Sequence, residues 1–182
     1  MGRFAQYRGH CVRVVSIALA AAASNAFAAD TPAGTPSTLA AQARLADGKS
    51  NDAVRKALIG AHSRLGDPAC QRVFADFKSI DGRRLDQVLA EHGETGQGFL
   101  SLLMFYDASR HLACGDGGRF AFTKPHSRAI FVCGRRFRQK HEWNPVAAEA
   151  FIIHELLHAL GLGENPPTSV AITERVLERC GS

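Results

Sequence analysis

Residues 144–165 read Asn-Pro-Val-Ala-Ala-Glu-Ala-Phe-Ile-Ile-His-Glu-Leu-Leu-His-Ala-Leu-Gly-Leu-Gly-Glu-Asn, and this stretch decides how the chain is expected to fold. Asn144 and Pro145 suit the N-cap and first turn of a helix, and Gly161 supplies a stop. The sequence therefore predicts a helix over about residues 145–160. Because the residues between those ends are apolar nearly all round, we expect this helix to be buried.

Two histidines and a glutamate interrupt the apolar pattern as His154-Glu155-Leu156-Leu157-His158. Side chains four positions apart share one face of a helix, so both imidazoles can reach one metal ion with the Glu155 carboxylate beside it. A buried carboxylate without a partner is costly, so such groups are normally paired, hydrogen-bonded or metal-linked. The spacing predicts a zinc hydrolase site; the alternative is two core histidines with Glu155 in a salt bridge.

A catalytic zinc usually has three protein ligands and an open position for water, so a third ligand is needed. Glu164 lies six residues beyond His158, and Gly161 permits the left-handed turn that would let the chain double back toward the metal. The second candidate is Glu174, in a segment over residues 168–179 that reads as a further helix. We favour Glu164 and keep Glu174 as the alternative.

The order His154, Glu155, His158, Gly161 resembles the metzincin motif His-Glu-x-x-His-x-x-Gly-x-x-His, within the zincin superfamily of metallopeptidases. Glu164 occupies the third-ligand position of that motif. The resemblance implies an α+β, zincin-like domain and Zn²⁺ as the cofactor, with His154, His158 and Glu164 as metal ligands. It also implies hydrolysis of peptide or protein substrates with Glu155 as general base.

Two features depart from the metzincin pattern. The third-ligand position holds a glutamate where histidine or aspartate is usual, and both methionines, Met1 and Met104, precede the motif, so no methionine turn can follow it. A strict metzincin is therefore not expected. The competing function is that of a disulfide-stabilised secreted binding protein with a zincin-like fold and no catalytic activity.

The first 28 residues have the pattern of an export signal. Arg3, Arg8 and Arg13 precede an apolar run over residues 14–23, and Ala26-Phe27-Ala28 is a small-x-small cleavage site. The run is too short to cross a bilayer. We therefore expect cleavage after Ala28 and a secreted or periplasmic protein.

The remaining chain is expected to divide into a flexible leader over residues 29–50 and a single zincin-like domain over residues 51–182. Asn51 suits the cap of a first helix, and further helical patterns follow to about residue 92. The apolar run 99–106 favours a buried strand, although its periodicity also allows a helix. Residues 119–123 and 128–133 suit a β-hairpin. The expected order is N-terminal helices, a short antiparallel sheet, the motif helix and a C-terminal helix.

Two further roles are expected near the hairpin. An extended substrate could pair with a strand edge near Ala129 to Val132, since added strands bind through backbone hydrogen bonds. Tyr106 and His126 are candidates for stabilising the oxyanion.

Four cysteines remain after removal of the signal, which would take Cys11 with it. Two disulfides are the economical interpretation for an exported chain, and three pairings are possible. Because Cys114 and Cys133 bracket the predicted hairpin, we favour that pair and, by elimination, Cys70 with Cys180. A cysteine-rich zinc site would need a close Cys-x-x-Cys pair, which the sequence lacks.

The charge of the mature chain argues against nucleic acid as a partner. The full chain has 22 Lys and Arg against 17 Asp and Glu. The signal removes three Arg and no acidic residue, leaving 19 basic against 17 acidic residues, a net charge of +2. The basic cluster at residues 135–140 is accordingly expected to be a solvated loop, and nucleic acid is not expected as a partner. We also expect the mature protein to be a monomer that does not bind membranes.

Overall fold

The computed structural model describes residue 39, residues 42–115 and residues 118–181. Within these residues the chain is mixed α+β, with several helices and one four-stranded sheet. The predicted signal peptide and its cleavage site lie outside the described residues. None of the described helices is long and apolar enough to span a membrane.

Within the described residues, the elements with defined bounds run from a short strand to a helix. In chain order they are β1 (Ala43–Arg44), α1 (Gly48–Leu65), α2 (Pro68–Gln71), α3 (Val73–Asp76), α4 (Leu85–Glu91), α5 (Gly96–Leu100), β2 (Met104–Asp107), a 3₁₀ turn (Leu112–Cys114), β3 (Ala121–Phe122), β4 (Ala129–Val132), α6 (Gly134–Trp143), α7 (Pro145–Ala159) and α8 (Ser169–Cys180).

The four strands lie in the order β1-β2-β4-β3. Strand β2 runs parallel to both β1 and β4, whereas β3 and β4 form the predicted antiparallel hairpin. The expectation of an antiparallel sheet is thus wrong outside the hairpin. Helices α1 to α5 connect β1 to β2, and a helical connection of this kind brings the chain back to start a parallel strand.

Strand β4 is internal, because β2 pairs with one of its edges and β3 with the other. The expectation that a substrate could pair along Ala129 to Val132 is therefore wrong. Strand β3 is the edge strand on that side of the sheet, and only its outer edge is left for another strand.

The apolar run at residues 99–106 contains two elements instead of one strand. Its first part belongs to α5, whose N-cap Thr95 accepts a hydrogen bond from the Gly98 N–H through its side chain. Its last part is β2, in which Phe105 is fully buried. Periodicity could not separate the two, since a short apolar run fits a buried helix or a buried strand equally well.

Part of the stretch predicted as a flexible leader belongs to regular structure. Helix α1 starts at Gly48, with Asp47 as its N-cap accepting from the Ser50 N–H, and Asn51 instead accepts from the Leu45 N–H. Residues 42–50 thus belong to the folded domain and not to a leader. The basic cluster at 135–140 is also not a loop: it lies in α6, which buries Phe137 completely.

Helix α7 is the centre of the core, as the sequence predicted. Its residues Ile152, Ile153 and Leu156 are fully buried, and the helix packs against α1, α6 and α8. Helix α1 approaches it closely at Gly60, where an added Cβ would lie 2.3 Å from the Glu149 side chain. The motif is therefore held by a helix that is fixed from several sides.

Two disulfides are formed, and both predicted pairings are confirmed. Cys70 and Cys180 join α2 to the last residue of α8, with a sulfur–sulfur distance of 2.04 Å. Cys114 and Cys133 join the 3₁₀ turn to the residue after β4, at 1.97 Å. Each disulfide anchors an element that borders the motif helix or the hairpin.

Candidate metal centre

His154 and His158 lie one turn apart on α7, and their imidazoles meet on one face. The two Nε2 atoms are 3.0 Å apart, and the residues are only 4 % and 7 % exposed. Two ring nitrogens at this distance can bind one ion between them, and the i, i+4 spacing on a helix places them there.

The other ring nitrogen of each histidine has a hydrogen-bond partner. The Nδ1 atom of His158 donates to the Leu162 carbonyl oxygen at 2.8 Å, and because a carbonyl only accepts, the neutral ring keeps its lone pair on Nε2. The Nδ1 atom of His154 lies 3.0 Å from the Thr173 hydroxyl. Partners of this kind fix ring orientation in metal sites. No local pattern in the sequence indicated Thr173, because only the packing of α8 on α7 brings it to His154.

A sharp turn of the chain brings Glu164 toward the Nε2 atoms of His154 and His158. The Gly161 φ of 110° ends α7 in a conformation that favours glycine, and the Leu162 N–H then donates to the Leu157 carbonyl. This turn brings the Glu164 Oε1 atom to 3.7 Å from Nε2 of His158.

The ligand atoms of His154, His158 and Glu164 all lie within 4.8 Å of one another, and this group could hold a metal ion. Glu174, the alternative third ligand, is exposed on α8 and lines the same cleft, but it does not belong to that group of described residues. The arrangement therefore agrees with the choice of Glu164.

Glu155 is buried beside the three residues of this group, at 6 % exposure. Its Oε2 atom has no hydrogen-bond partner within the described part of the chain, so the alternative of a salt-bridged Glu155 finds no support. Burial raises the pKa of Glu155 to about 8, the Glu164 carboxylate adds to this rise, and the Arg119 guanidinium opposes it. Burial, and to a smaller extent the neighbouring His158, lowers the pKa of His154 to about 3. This favours the neutral imidazole, which is the form that can bind a metal.

A cleft of about 830 Å³ opens onto these residues. One wall is residues 118–123, which include β3, and the opposite wall is the first half of α8. The rings of Phe120 and Phe151 stack at 4.5 Å and form part of the apolar lining. The cleft therefore offers the buried polar residues to a molecule from solvent.

The two predicted oxyanion candidates do not line this cleft. The Tyr106 ring lies against Phe131 on the sheet, and His126 packs on Gly161, with its Nε2 atom 3.3 Å from an Asp81 carboxylate oxygen. Neither residue is among those that border the cleft. Arg119 does border it, although no motif in the sequence includes this residue.

The chain was compared with known protein families, with curated proteins and with solved structures, and none of these comparisons found a match.

Proposed function

We propose that this protein is a secreted zinc-dependent peptidase with a zincin-like fold. One observation carries the proposal: three metal-ligand side chains converge in an open cleft, and the buried Glu155 carboxylate beside them has an oxygen without a partner among the described residues. A purely structural histidine pair would not need an unpaired carboxylate at its side, because that group is costly to bury.

The donor set supports zinc as the metal. Two imidazole nitrogens from His154 and His158 with one carboxylate oxygen from Glu164 form a set that catalytic zinc sites use. The hydrogen bonds on both Nδ1 atoms orient the rings for coordination through Nε2. These three residues would hold the ion and leave its remaining position to water.

Zinc, when bound, supplies a Lewis acid that polarises a carbonyl and lowers the pKa of bound water. The positive charge of a bound ion would lower the pKa of Glu155 from its raised value, so that its carboxylate could accept a proton from the attacking water as the water oxygen bonds to the peptide carbonyl carbon. Glu155 then delivers that proton to the leaving nitrogen as the carbon–nitrogen bond breaks. The second water proton also passes to the amine, so the products are a carboxylate and a protonated amine, and Glu155 returns to its starting state.

The edge of β3 gives an extended substrate a place to bind. The Phe120 carbonyl accepts from the Cys133 N–H, so the backbone groups of Phe120 face β4. Because successive residues of a strand point their hydrogen-bonding groups to opposite sides, those of Ala121 are directed away from β4. An added peptide strand at Ala121 would lie along the cleft wall.

Secretion is part of the proposal and rests on two features. Residues 1–28 have the pattern of an export signal. The two disulfides are typical of proteins that function in an oxidising compartment.

The test combines metal analysis with a substitution that removes one carboxylate. The purified protein should contain about one zinc per chain and cleave a mixture of unrelated peptides, as followed by mass spectrometry. Glu155→Gln keeps the side-chain size and should retain the metal while losing at least about 100-fold in cleavage rate. Glu178→Gln, on an exposed part of α8, is the matched control and should behave as the parent.

Two outcomes would count against the proposal. Protein without stoichiometric metal after zinc loading would refute the metal centre. Cleavage unchanged in Glu155→Gln would refute the role of that carboxylate, and a metal-bound protein that cleaves no peptide would favour the binding-protein function instead.

A further inference from the structure

We infer that Arg119 binds a carboxylate group of the substrate, next to the metal centre. This inference rests on the proposed function, since it names the chemical class that the same cleft would select. The carboxylate could be the C-terminus of a peptide or an acidic side chain, because both present the same group to a guanidinium.

The charges of the cleft single Arg119 out. Among the described residues that line the cleft, it is the one lysine or arginine, and it faces a lining that contains Glu155, Glu164 and Glu174. No described carboxylate lies within 4.0 Å of it, whereas other arginines of this protein, such as Arg83 and Arg179, form ion pairs. Arg119 is exposed where it borders the cleft, and without such a partner among the described residues its guanidinium is available to an anionic ligand.

The backbone of Arg119 and of the residue that follows it is held by hydrogen bonds. The Arg119 carbonyl accepts a hydrogen bond of 3.1 Å from Nη1 of Arg136 on α6, and the next residue, Phe120, accepts from the Cys133 N–H at 2.9 Å. Cys133 is itself joined by a disulfide to Cys114. The side chain therefore extends from a backbone that is anchored just before β3.

The position of the guanidinium is also restricted. Its central carbon lies 5.8 Å from the centre of the Phe122 ring, within the range of a cation–π contact. A guanidinium binds a carboxylate through two parallel hydrogen bonds, a geometry that a lysine ammonium does not offer. Arg119 is thus suited to orient one end of a substrate while Glu155 and the metal ligands act on the peptide bond.

The experiment measures binding rather than cleavage. Glu155→Gln protein is titrated by calorimetry, with and without one equivalent of Zn²⁺, using three probe peptides. The first is acetyl-Ala-Phe-Ala-Ala-amide, which is neutral. The second has the same sequence with a free C-terminus, and the third is amidated with glutamate in place of the residue after phenylalanine.

We expect at least one charged peptide to bind about tenfold more tightly than the neutral peptide, and the one that does identifies the source of the carboxylate. Adding Arg119→Gln should remove this preference, and Arg119→Lys should restore only part of it. Arg135→Gln, an exposed position on α6 that does not border the cleft, is the control and should keep the preference.

Equal or undetectable binding of the three peptides would overturn the inference, as would a preference that persists in Arg119→Gln. Failure of the proposed function looks different. In that case the charged peptide would still bind through Arg119, but protein with Glu155 intact would not cleave it.

Discussion

The Nδ1 atom of His154 lies 3.0 Å from the Thr173 hydroxyl oxygen, and this contact joins α7 to α8 behind the candidate metal centre. A hydroxyl both donates and accepts, so Thr173 can partner either neutral tautomer of His154. When Nε2 binds a metal, the ring proton resides on Nδ1 and is donated to Thr173. The orientation of this ligand therefore depends on where α8 lies.

Thr173→Val tests this dependence, because valine keeps the shape of threonine and removes the hydroxyl. We expect zinc affinity to fall about 10- to 100-fold, as is typical when a partner of a metal-binding histidine is lost. The measurement is competition with a chromogenic chelator. Thr173→Ser retains the hydroxyl and should stay near the parent affinity; equal losses in both variants would show that packing matters instead of the hydrogen bond.

The identity of the third ligand predicts opposite results for two glutamates of the cleft. Glu164→Gln removes a charged ligand whose oxygen lies 3.7 Å from Nε2 of His158, and zinc affinity should fall by at least about 100-fold. Glu174→Gln removes an exposed carboxylate outside the ligand group and should change affinity less than about threefold. Zinc content after dialysis against a weak chelator distinguishes the two. A larger loss of zinc from Glu174→Gln than from Glu164→Gln would assign the role of third ligand to Glu174.

Local sequence signals were sufficient to predict the motif helix, α7. Asn144 accepts from the Ala147 N–H and Pro145 occupies the first turn, so α7 begins where the sequence predicted, and it ends at Ala159, one residue short of the predicted end. That the side chains of His154, His158 and Glu164 come together also followed from the same stretch, since helix spacing and one glycine turn determine their positions.

Contacts between distant segments were not accessible from the sequence. The parallel pairing of β2 with β1 joins segments about sixty residues apart, as in Ala43 opposite Phe105, and no local pattern specifies such a partner. The sequence did not indicate Thr173 and Arg119 as site residues either, because contacts between distant segments bring them to the site. Helix α6 was missed because its N-cap, Cys133, makes no side-chain capping bond, so the burial of Phe137 in the core holds it in place.

The two disulfides should contribute unequally to stability. Cys70 and Cys180 are separated by 110 residues, whereas Cys114 and Cys133 are separated by 19. In the chain-entropy account, the longer loop stabilises by about 1–2 kcal/mol more. Replacing the first pair with alanines should therefore lower the free energy of unfolding by that much more than replacing the second pair. Urea denaturation of both variants gives the difference, and equal losses would contradict the entropic explanation.

Gly161 shapes the turn that brings Glu164 to the candidate metal centre, and its substitution should destabilise the protein. Its φ is 110°, and an added Cβ would lie 2.4 Å from Cε1 of His126. Gly161→Ala thus combines backbone strain with a steric collision, and we expect it to lower the free energy of unfolding by about 2–4 kcal/mol. Zinc affinity should fall as well, because Glu164 follows three residues later.

Gly82 provides a matched control for the strain at Gly161. Its φ is also positive, at 82°, but an added Cβ would meet nothing within 4 Å, so Gly82→Ala should cost only about 1–2 kcal/mol. We expect the excess loss at Gly161 to come largely from the collision with His126, so it should shrink when His126→Ala is combined with Gly161→Ala, as a double-mutant cycle in urea would measure. Equal costs at the two glycines, or an excess that persists without the imidazole, would place the constraint elsewhere in the turn.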